Sequence, residues 1–375
     1  MLFDGLCAAS AGVIMPLLRE MYGLSYSYTG TLLAVYSTGN LAAGLLCACL
    51  PAKIGQRNTA RILTSGFAIG YGMLLLSGIT GSAKSTEAAS AAAAVLPAGV
   101  LLPAAFLTAG LGKGSTINNC MVIAGSVPGR RTEGVNLVNA VFAVGSLLSP
   151  ILYIVFGNSP FRLLPIAAVT CSGLMVWGLV MTLRLDSGIK KKGEKTDTGF
   201  LKDRHFLLSV GYLFMNQCAE ISVTGWLVTY FKDTGILSGI YSELTVTVIW
   251  TSMLIGRLLI AFVLKPDSPL RSLRLMSAAS LAAYVVMLFA PSGAAAVTAL
   301  FLFGLSDSGC YPTSIAQAGK VLSNASVGIM VPIAGIGAVV MPYIVGAAAQ
   351  TFGIAAGMLC PAAALAGMLA ISFFL

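Results

Sequence analysis

Apolar runs of roughly 17 to 30 residues, separated by short polar stretches, recur from one end of the chain to the other. A helix rises 1.5 Å per residue and the hydrocarbon core of a bilayer is about 30 Å thick, so each run is long enough, or nearly so, to cross a membrane. The weak alternation typical of membrane β-strands is absent. The pattern therefore predicts an all-α membrane protein with twelve transmembrane helices. The predicted spans, numbered 1 to 12, are Leu2–Leu18, Tyr28–Leu50, Ile62–Ile79, Val95–Ala124, Val135–Phe156, Leu163–Leu183, Phe206–Phe231, Tyr241–Leu264, Leu275–Ala290, Ala294–Ala318, Val327–Ala349 and Ile354–Leu375.

One long charged stretch, Arg184–His205, interrupts the apolar pattern and separates six spans from the next six. We therefore expect an N-terminal six-helix bundle over residues 1–184, a basic cytoplasmic linker over 185–205, and a C-terminal six-helix bundle over 206–375. Span 1 is the exception to the pattern, because only about 17 apolar residues, or ~26 Å of helix, precede Arg19. This shortness suggests that the natural start lies upstream of Met1.

The two groups of six spans repeat one another in the same orientation. Gly110 and Leu111 fall on Gly304 and Leu305 when the first half is shifted by 194 positions, and Lys113 then falls on Asp307. The other matches are Arg19-Glu20 with Lys232-Asp233, Gly39 with Gly256, Asn40 with Arg257, and Gly145 and Pro150 with Gly337 and Pro342. Parallel repeats of this kind are an architecture of membrane carriers.

Composition supports a lipid environment. The chain is 57% hydrophobic and 9% charged with a mean hydropathy of +0.90, whereas soluble domains have about 25% charged residues. Of its 22 Lys and Arg residues, 16 lie in loops after even-numbered spans or in the linker, four lie in loops after odd-numbered spans, and two lie inside spans. The positive-inside rule then predicts a multi-pass protein of the cytoplasmic membrane with both termini in the cytoplasm. The net charge of +9 is a topology signal, so we expect no nucleic-acid partner.

Enzyme chemistry finds little support in the sequence. Almost all of the eight cysteines lie in apolar runs, and the two-residue spacing of Cys47 and Cys49 fits neither a zinc site nor a redox pair. His205, the single histidine, lies in the charged stretch. The segment GLGKGST (Gly110–Thr116) resembles a phosphate-binding loop, but Gly114 separates the lysine from the serine. We expect no enzyme activity, no metal and no cofactor.

Two opposite charges lie deep inside matching spans. An ionised side chain there costs about 2.5–3.5 kcal/mol on insertion scales, which favours a functional reason for its presence. Lys113 is a cation for a substrate or an ion pair, or a structural lysine whose long side chain reaches the interface. Asp307 pairs with Lys113 or carries the coupling proton, since burial disfavours an ionised carboxylate that has no partner. A pair between the two would lock one conformation.

Three further charged residues are candidates. Glu220, in the middle of span 7, is a proton-binding acid or a carboxylate satisfied by neighbouring groups. Arg257, near the cytoplasmic end of span 8, is a gating residue or an interfacial anchor. Asp4 is interfacial if the chain starts at Met1, and mid-membrane if an extension precedes it, in which case it is a third coupling acid.

Uncharged polar groups in the spans are candidates for solute binding, because each costs free energy in lipid unless it is paired. Asn118, Asn119, Asn139, Asn216 and Gln217 are the predicted amide ligands. Aromatic rings of the spans, Trp226 and Tyr311 among them, are able to stack on a sugar face, although each is more often a packing residue.

The long basic central stretch, the parallel halves and the basic loop ACLPAKIGQR (Ala48–Arg57) resemble the major facilitator superfamily. Leu50, Gly55 and Arg57 match the family's loop signature, while Ala52 stands where its aspartate would be. The resemblance implies a gating contact for the loop, with Arg57 as the matching residue.

A closer resemblance is to the fucose permease-like branch of proton–sugar symporters. It is carried by GLGKGSTINNCMV (Gly110–Val122), NLVNAVFAVGS (Asn136–Ser146), CAEISVTGWLVTYF (Cys218–Phe231) and CYPTSIAQAG (Cys310–Gly319). Ser115 and Gly12 stand where that branch carries acids. The resemblance implies sugar transport coupled to protons.

These patterns predict a monomeric secondary active transporter that moves a small polar organic solute by alternating access, with a proton as the coupling ion and membrane lipid as its surroundings. The solute is a sugar by resemblance; Lys113 favours a sugar acid or another carboxylate. The alternative is a proton-driven exporter of drugs or metabolites, which the cluster of amides disfavours. A hypothesis from a different functional class is that the protein is a membrane enzyme, or a sensor that transports nothing.

Overall fold

In the computed structural model the chain is helical along nearly all of its described length. The structure describes residues 1–82, 98–125, 131–157, 163–182, 202–260, 268–321 and 330–375, with side chains at most of these positions. The chain divides into two compact units, Met1–Lys192 and Gly193–Leu375, called the N-terminal unit and the C-terminal unit below.

The N-terminal unit contains seven helices in its described ranges: α1 (Leu2–Tyr22), α2 (Tyr26–Cys49), α3 (Pro51–Ile54), α4 (Gln56–Ser82), α5 (Ala98–Gly125), α6 (Arg131–Gly157) and α7 (Leu164–Thr182). Helix α1 ends at Gly23, which adopts a left-handed conformation with φ 63° that glycine tolerates without a steric penalty. The Ser25 side chain then caps α2 by accepting a hydrogen bond from the Tyr28 amide at 3.2 Å.

The C-terminal unit contains α8 (Arg204–Asp233), α9 (Ile240–Leu258), α10 (Pro269–Leu288), α11 (Gly293–Asp307), α12 (Cys310–Val321), α13 (330–334), α14 (Gly337–Phe352), α15 (Ile354–Gly357) and α16 (Leu359–Ser372) in the described part of the chain. Asp203 caps α8 through its carboxylate. Helix α8 thus begins at Arg204, inside the stretch expected to be linker.

Ten described helices are long and apolar enough to cross a membrane, and α6 adds a shorter apolar stretch, Val141–Phe156. The all-α membrane architecture predicted from the pattern is confirmed. Most of its predicted boundaries agree with the structure to within a few residues; spans 3 and 9 begin earlier, at Gln56 and Pro269, because polar first turns continue the helices beyond the apolar runs. The short α3 was not predicted.

Span 10 is one apolar stretch in the structure, Gly293–Ile315, with a two-residue turn inside it. Helix α11 ends at Asp307, Ser308 and Gly309 form a turn, and α12 begins at Cys310. The Ser308 amide still donates to the Gly304 carbonyl oxygen at 3.1 Å, and the helix then restarts with the Thr313 amide donating to the Gly309 carbonyl at 3.0 Å. The turn lies directly beside the buried carboxylate of Asp307.

Glycines bring the helix backbones of the N-terminal unit into close contact. In the α2–α5 pair, a Cβ at Gly39 would overlap the Leu107 carbonyl oxygen, and one at Gly110 would overlap the Tyr36 carbonyl oxygen. In the α1–α6 pair, Gly145 lies equally close to the Leu2 carbonyl oxygen. Such close approach is the usual way in which membrane helices associate.

The C-terminal unit repeats these contacts with the matching glycines. A Cβ at Gly256 of α9 would lie 2.6 Å from the Leu305 carbonyl oxygen of α11, and Gly304 of α11 packs on Ser252 of α9. Gly337 of α14 packs on Phe214 of α8. The sequence repeat therefore corresponds to a repeat of helix contacts within each unit.

Hydrogen bonds at helix ends extend the correspondence to spans that the sequence repeat did not include. The Arg61 guanidinium at the start of α4 donates to the Met181 carbonyl oxygen at the end of α7, at 2.9 Å. The Arg274 guanidinium, on α10, donates to the Ser372 carbonyl oxygen at the end of α16, at 3.1 Å. Both cations satisfy carbonyl groups that a helix end leaves without partners.

Candidate functional site

Asp4 is buried completely within the N-terminal unit. It is 0% exposed, and neither carboxylate oxygen accepts a hydrogen bond. Its backbone is fixed on α6 by the neighbouring Gly5, where a Cβ would overlap the Phe142 carbonyl oxygen. A charged group in such a place depends on nearby opposite charge, because no local hydrogen bond replaces its lost hydration.

Lys113 of α5 supplies opposite charge to Asp4. The two side chains are within electrostatic reach of one another. The Lys113 ammonium also lies over the ring of Tyr36 on α2, 5.3 Å from its centroid, in a cation–π contact. Asp4, Tyr36 and Lys113 are called the N-terminal cluster below, and three different helices contribute to it.

Asp307 is the centre of a second group of polar residues, in the C-terminal unit. It is 1% exposed and sits at the break between α11 and α12. One of its oxygens accepts a hydrogen bond from the Asn216 amide at 3.3 Å, and the other has no partner. Broken membrane helices commonly mark binding sites, because their interrupted backbone has to face protein or water.

The charges of Glu220 and Arg257 both reach Asp307. Glu220 lies one helical turn after Asn216 on α8, and Arg257 lies at the end of α9 beside Gly256, which packs on α11. Asn216, Glu220, Arg257 and Asp307 are called the C-terminal cluster below. It combines two acids with one cation.

Polar side chains that the sequence had not singled out surround the C-terminal cluster. The Tyr212 hydroxyl is 2.9 Å from the Ser277 hydroxyl, and Asp307 acts electrostatically on both Tyr212 and Cys310. Tyr212 precedes Asn216 by four residues on α8, so the helical spacing of Tyr212, Asn216 and Glu220 is the signal that would have found it.

Asn118 and Asn119 line a cavity of about 220 Å³ within the N-terminal unit, with Gly44, Cys47, Ala48, Pro51, Gln56 and Thr59. Each amide group donates a hydrogen bond to its own helix: Asn118 to the Gly114 carbonyl at 2.6 Å, and Asn119 to the Ser115 carbonyl at 2.8 Å. Both asparagines therefore lie at a small cavity near the end of α5, with their amide nitrogens bonded to their own helix.

The remaining predicted residues lie outside both clusters as defined. Trp226 is fully buried and donates its indole N–H to the Pro342 carbonyl at 3.1 Å, so it joins α8 to α14. Tyr311 packs against the apolar cluster around Leu213 and Met330. Gln217 is half-buried, Arg57 is exposed at the start of α4, and the side chain of Asn139 lies outside the described residues.

The structure thus groups the predicted charged residues unit by unit. Asp4 meets Lys113, and Asp307 meets Glu220 and Arg257. The expected pairing of Lys113 with Asp307 would join the two units and stays a prediction.

Comparison with known proteins defines the class. A sequence profile of the Major Facilitator Superfamily matches residues 1–331, and the chain belongs to this superfamily. Bypass of stop codon protein 6 of Saccharomyces cerevisiae is 21% identical over 394 residues, which cover 93% of the chain and 75% of the yeast protein.

Among solved structures, the D-xylose-proton symporter is similar to the chain with a TM-score of 0.71 at 14% identity, covering 100% of the chain and 94% of its own. The fucose:proton symporter of E. coli is similar with a TM-score of 0.63 at 16% identity, covering 100% and 96%. Identities this low carry the fold alone. The superfamily suggested by the sequence motifs is confirmed, and it indicates a multi-pass membrane transporter rather than an enzyme.

Proposed function

We propose that the protein is a proton-coupled carrier that takes up a small polar organic solute, a sugar or a sugar acid, across the cytoplasmic membrane by alternating access. Both termini face the cytoplasm in this proposal, as the distribution of basic residues predicts. The observation that carries it is Asp307, a buried carboxylate with one unpartnered oxygen, placed at a break in an otherwise membrane-spanning helix.

The charge balance of the C-terminal cluster supports proton coupling. Among the described residues, the charges of Glu220 and Arg257 reach Asp307, so this group of three has a net charge of −1 when all of them are ionised. Binding one proton brings that charge to zero, which a site of low dielectric favours. Asp307 and Glu220 are therefore our proposed proton-binding acids.

The polar groups of the N-terminal unit support a polar solute. Lys113 is half-buried with its ammonium over an aromatic ring, and Asn118 and Asn119 line a cavity. A cavity for apolar drugs would be lined by aromatic and aliphatic side chains with few polar groups. The two similar solved structures are a fucose:proton symporter and a D-xylose-proton symporter, which agrees with a polar solute.

Reconstituted protein provides the test. We expect proteoliposomes with a more acidic exterior to accumulate a radiolabelled sugar or sugar acid, and a protonophore to abolish the accumulation. Asp307→Asn, which removes the charge with little change in shape, should lose accumulation while retaining exchange of solute across the membrane. The proposal would be overturned if solute transport did not depend on the pH gradient, or if the protein only exported solute from the cytoplasmic side.

A further inference from the structure

Lys113 is held beside Tyr36 by the backbones on which both residues are carried. Gly110 packs on the Tyr36 carbonyl oxygen, and Gly114 packs on Asn40 one turn later, so α5 cannot move away from α2 without losing both contacts. On these closely packed backbones the Lys113 ammonium lies over the Tyr36 ring, 5.3 Å from its centroid. A cation held against an aromatic ring is suited to recognition of charge.

Asp4 makes no direct hydrogen bond to that cation. Its two oxygens accept no hydrogen bond at all, although the side chain is completely buried and the charge of Lys113 reaches it. Lys113 is only half-buried, and it keeps part of its surface accessible. Part of the Lys113 side chain is therefore accessible, whereas Asp4 is sealed in the helix packing.

We propose that Lys113 binds a small organic anion, and that Asp4 is a built-in competitor for the same positive charge. The inference rests on the proposed transport function and narrows its solute to a carboxylate-bearing one. A bound anion and an ionised Asp4 repel one another, so Asp4 lowers the affinity for the anion and a bound anion disfavours the ionised form of Asp4. The two effects are one coupling free energy and are equal in size.

A neutral sugar does not fit this arrangement as well. It brings no charge to Lys113, and in a medium of low dielectric the attraction of an ammonium for a carboxylate greatly exceeds its attraction for a hydroxyl. Competition from Asp4 has a use in a carrier, because a buried ion pair without a competitor would release its solute slowly. This competition gives a role to Asp4, an acid whose oxygens accept no hydrogen bond.

The test is a binding measurement on the purified full chain at one fixed neutral pH, without any gradient. Isothermal titration calorimetry would compare D-glucuronate with D-glucose and D-galacturonate with D-galactose, pairs that differ in a single charged group. At least one anion should bind more tightly than its neutral partner. Asp4→Asn should tighten that binding by about fivefold or more. Lys113→Gln should abolish it, and Lys113→Arg should preserve it.

Exposed residues provide controls with the same change of charge. Asp233→Asn and Lys232→Gln, both at the end of α8, should leave the affinity unchanged. Asp4→Ser gives a second readout if Asp4→Asn does not fold. The inference is overturned if no anion of the panel binds, if both members of each pair bind equally, or if removal of the Asp4 charge leaves the affinity unchanged or weaker. A protein that binds anions as expected but shows no proton-driven uptake would instead contradict the proposed function alone.

Discussion

The two units carry opposite charge patterns on matching helix contacts. In the N-terminal unit the α2–α5 contact holds Asn40 and Lys113; in the C-terminal unit the α9–α11 contact holds Arg257 and Asp307 at the corresponding places. The acid that accompanies each contact differs as well. Asp4 accompanies the lysine, and Glu220 accompanies the aspartate. The helix packing is repeated, whereas the charge at the matching positions Lys113 and Asp307 has opposite sign.

This difference teaches that the packing and the charges are separable. Glycines fix how closely the helices approach, and the residues beside them are then able to vary in sign. The N-terminal cluster balances one cation with one acid, and the C-terminal cluster has one acid in excess. We propose that the first cluster holds the solute and the second holds the proton.

Among the changes that test this comparison, the largest effect on stability is expected at Arg257. Arg257→Asn gives the C-terminal unit the residue found at the matching position, Asn40, and removes the cation whose charge reaches Asp307. Loss of one partner of a buried charge pair typically costs about 3 kcal/mol or more. We expect a marked fall in the melting temperature measured by fluorescence in detergent.

Arg257→Lys should recover most of the stability, and adding Glu220→Gln to Arg257→Asn should recover part of it. Arg271→Asn, an exposed change on α10, serves as the control. A melting temperature equal to that of the wild type would show that Arg257 is an interfacial anchor and not a partner of the acids.

A smaller effect is expected at the repeated glycines. Gly110→Ala would place a Cβ against the Tyr36 carbonyl group, where only backbone movement gives relief, whereas at Gly304 the nearest atom is the Ser252 hydroxyl, which is able to rotate. Overpacking of this kind costs about 1–3 kcal/mol. The melting temperature should fall more for Gly110→Ala than for Gly304→Ala.

Gly72→Ala is the matched control for both glycines, since a Cβ there meets no atom within 4 Å. If Gly304→Ala proved the more damaging change, the α9–α11 contact would be the stiffer of the two, against the structure.

The smallest effect is expected at the arginines that cap α7 and α16. Arg61→Gln and Arg274→Gln each remove a charged donor from a carbonyl group at a helix end. Interactions with helix ends contribute about 0.3–1 kcal/mol, so each change should lower the melting temperature slightly and by similar amounts, with uptake unaffected. If the two changes lowered the melting temperature by unequal amounts, the two hydrogen bonds would not contribute equally to stability, despite their matching positions.

Much of this organisation could be predicted from the sequence. Length and hydropathy determined the spans, and the matching glycines correctly indicated which helices repeat each other. The spacing of Arg61 to Arg274 and of Tyr71 to Tyr284 is 213 positions in both cases (274 − 61 and 284 − 71), the same as that of Arg19 to Lys232. Such a spacing would have extended the repeat. In the structure Arg61 and Arg274 donate to carbonyl groups at the ends of the matching helices α7 and α16. The two tyrosines differ, because Tyr71 donates to the Cys7 carbonyl of α1 and Tyr284 to the Met358 carbonyl before α16.

The break at Ser308–Gly309 and the proximity of Asp4 to Lys113 could not be predicted in the same way. Apolar composition is equally compatible with a continuous and an interrupted helix, so it does not locate the turn beside Asp307. Which charges meet depends on the face that each helix turns towards its neighbours. In α1 that face is determined by packing on α6, through Gly5 and Gly145.

The most direct test of the division between the two clusters is a simultaneous measurement of solute and proton entry into proteoliposomes, with a labelled solute and an internal pH dye. The account predicts that Asp307→Asn still exchanges solute but no longer brings in protons with it, whereas Lys113→Gln moves neither. Proton entry with solute in Asp307→Asn at the wild-type ratio, or undiminished solute transport in Lys113→Gln, would contradict it.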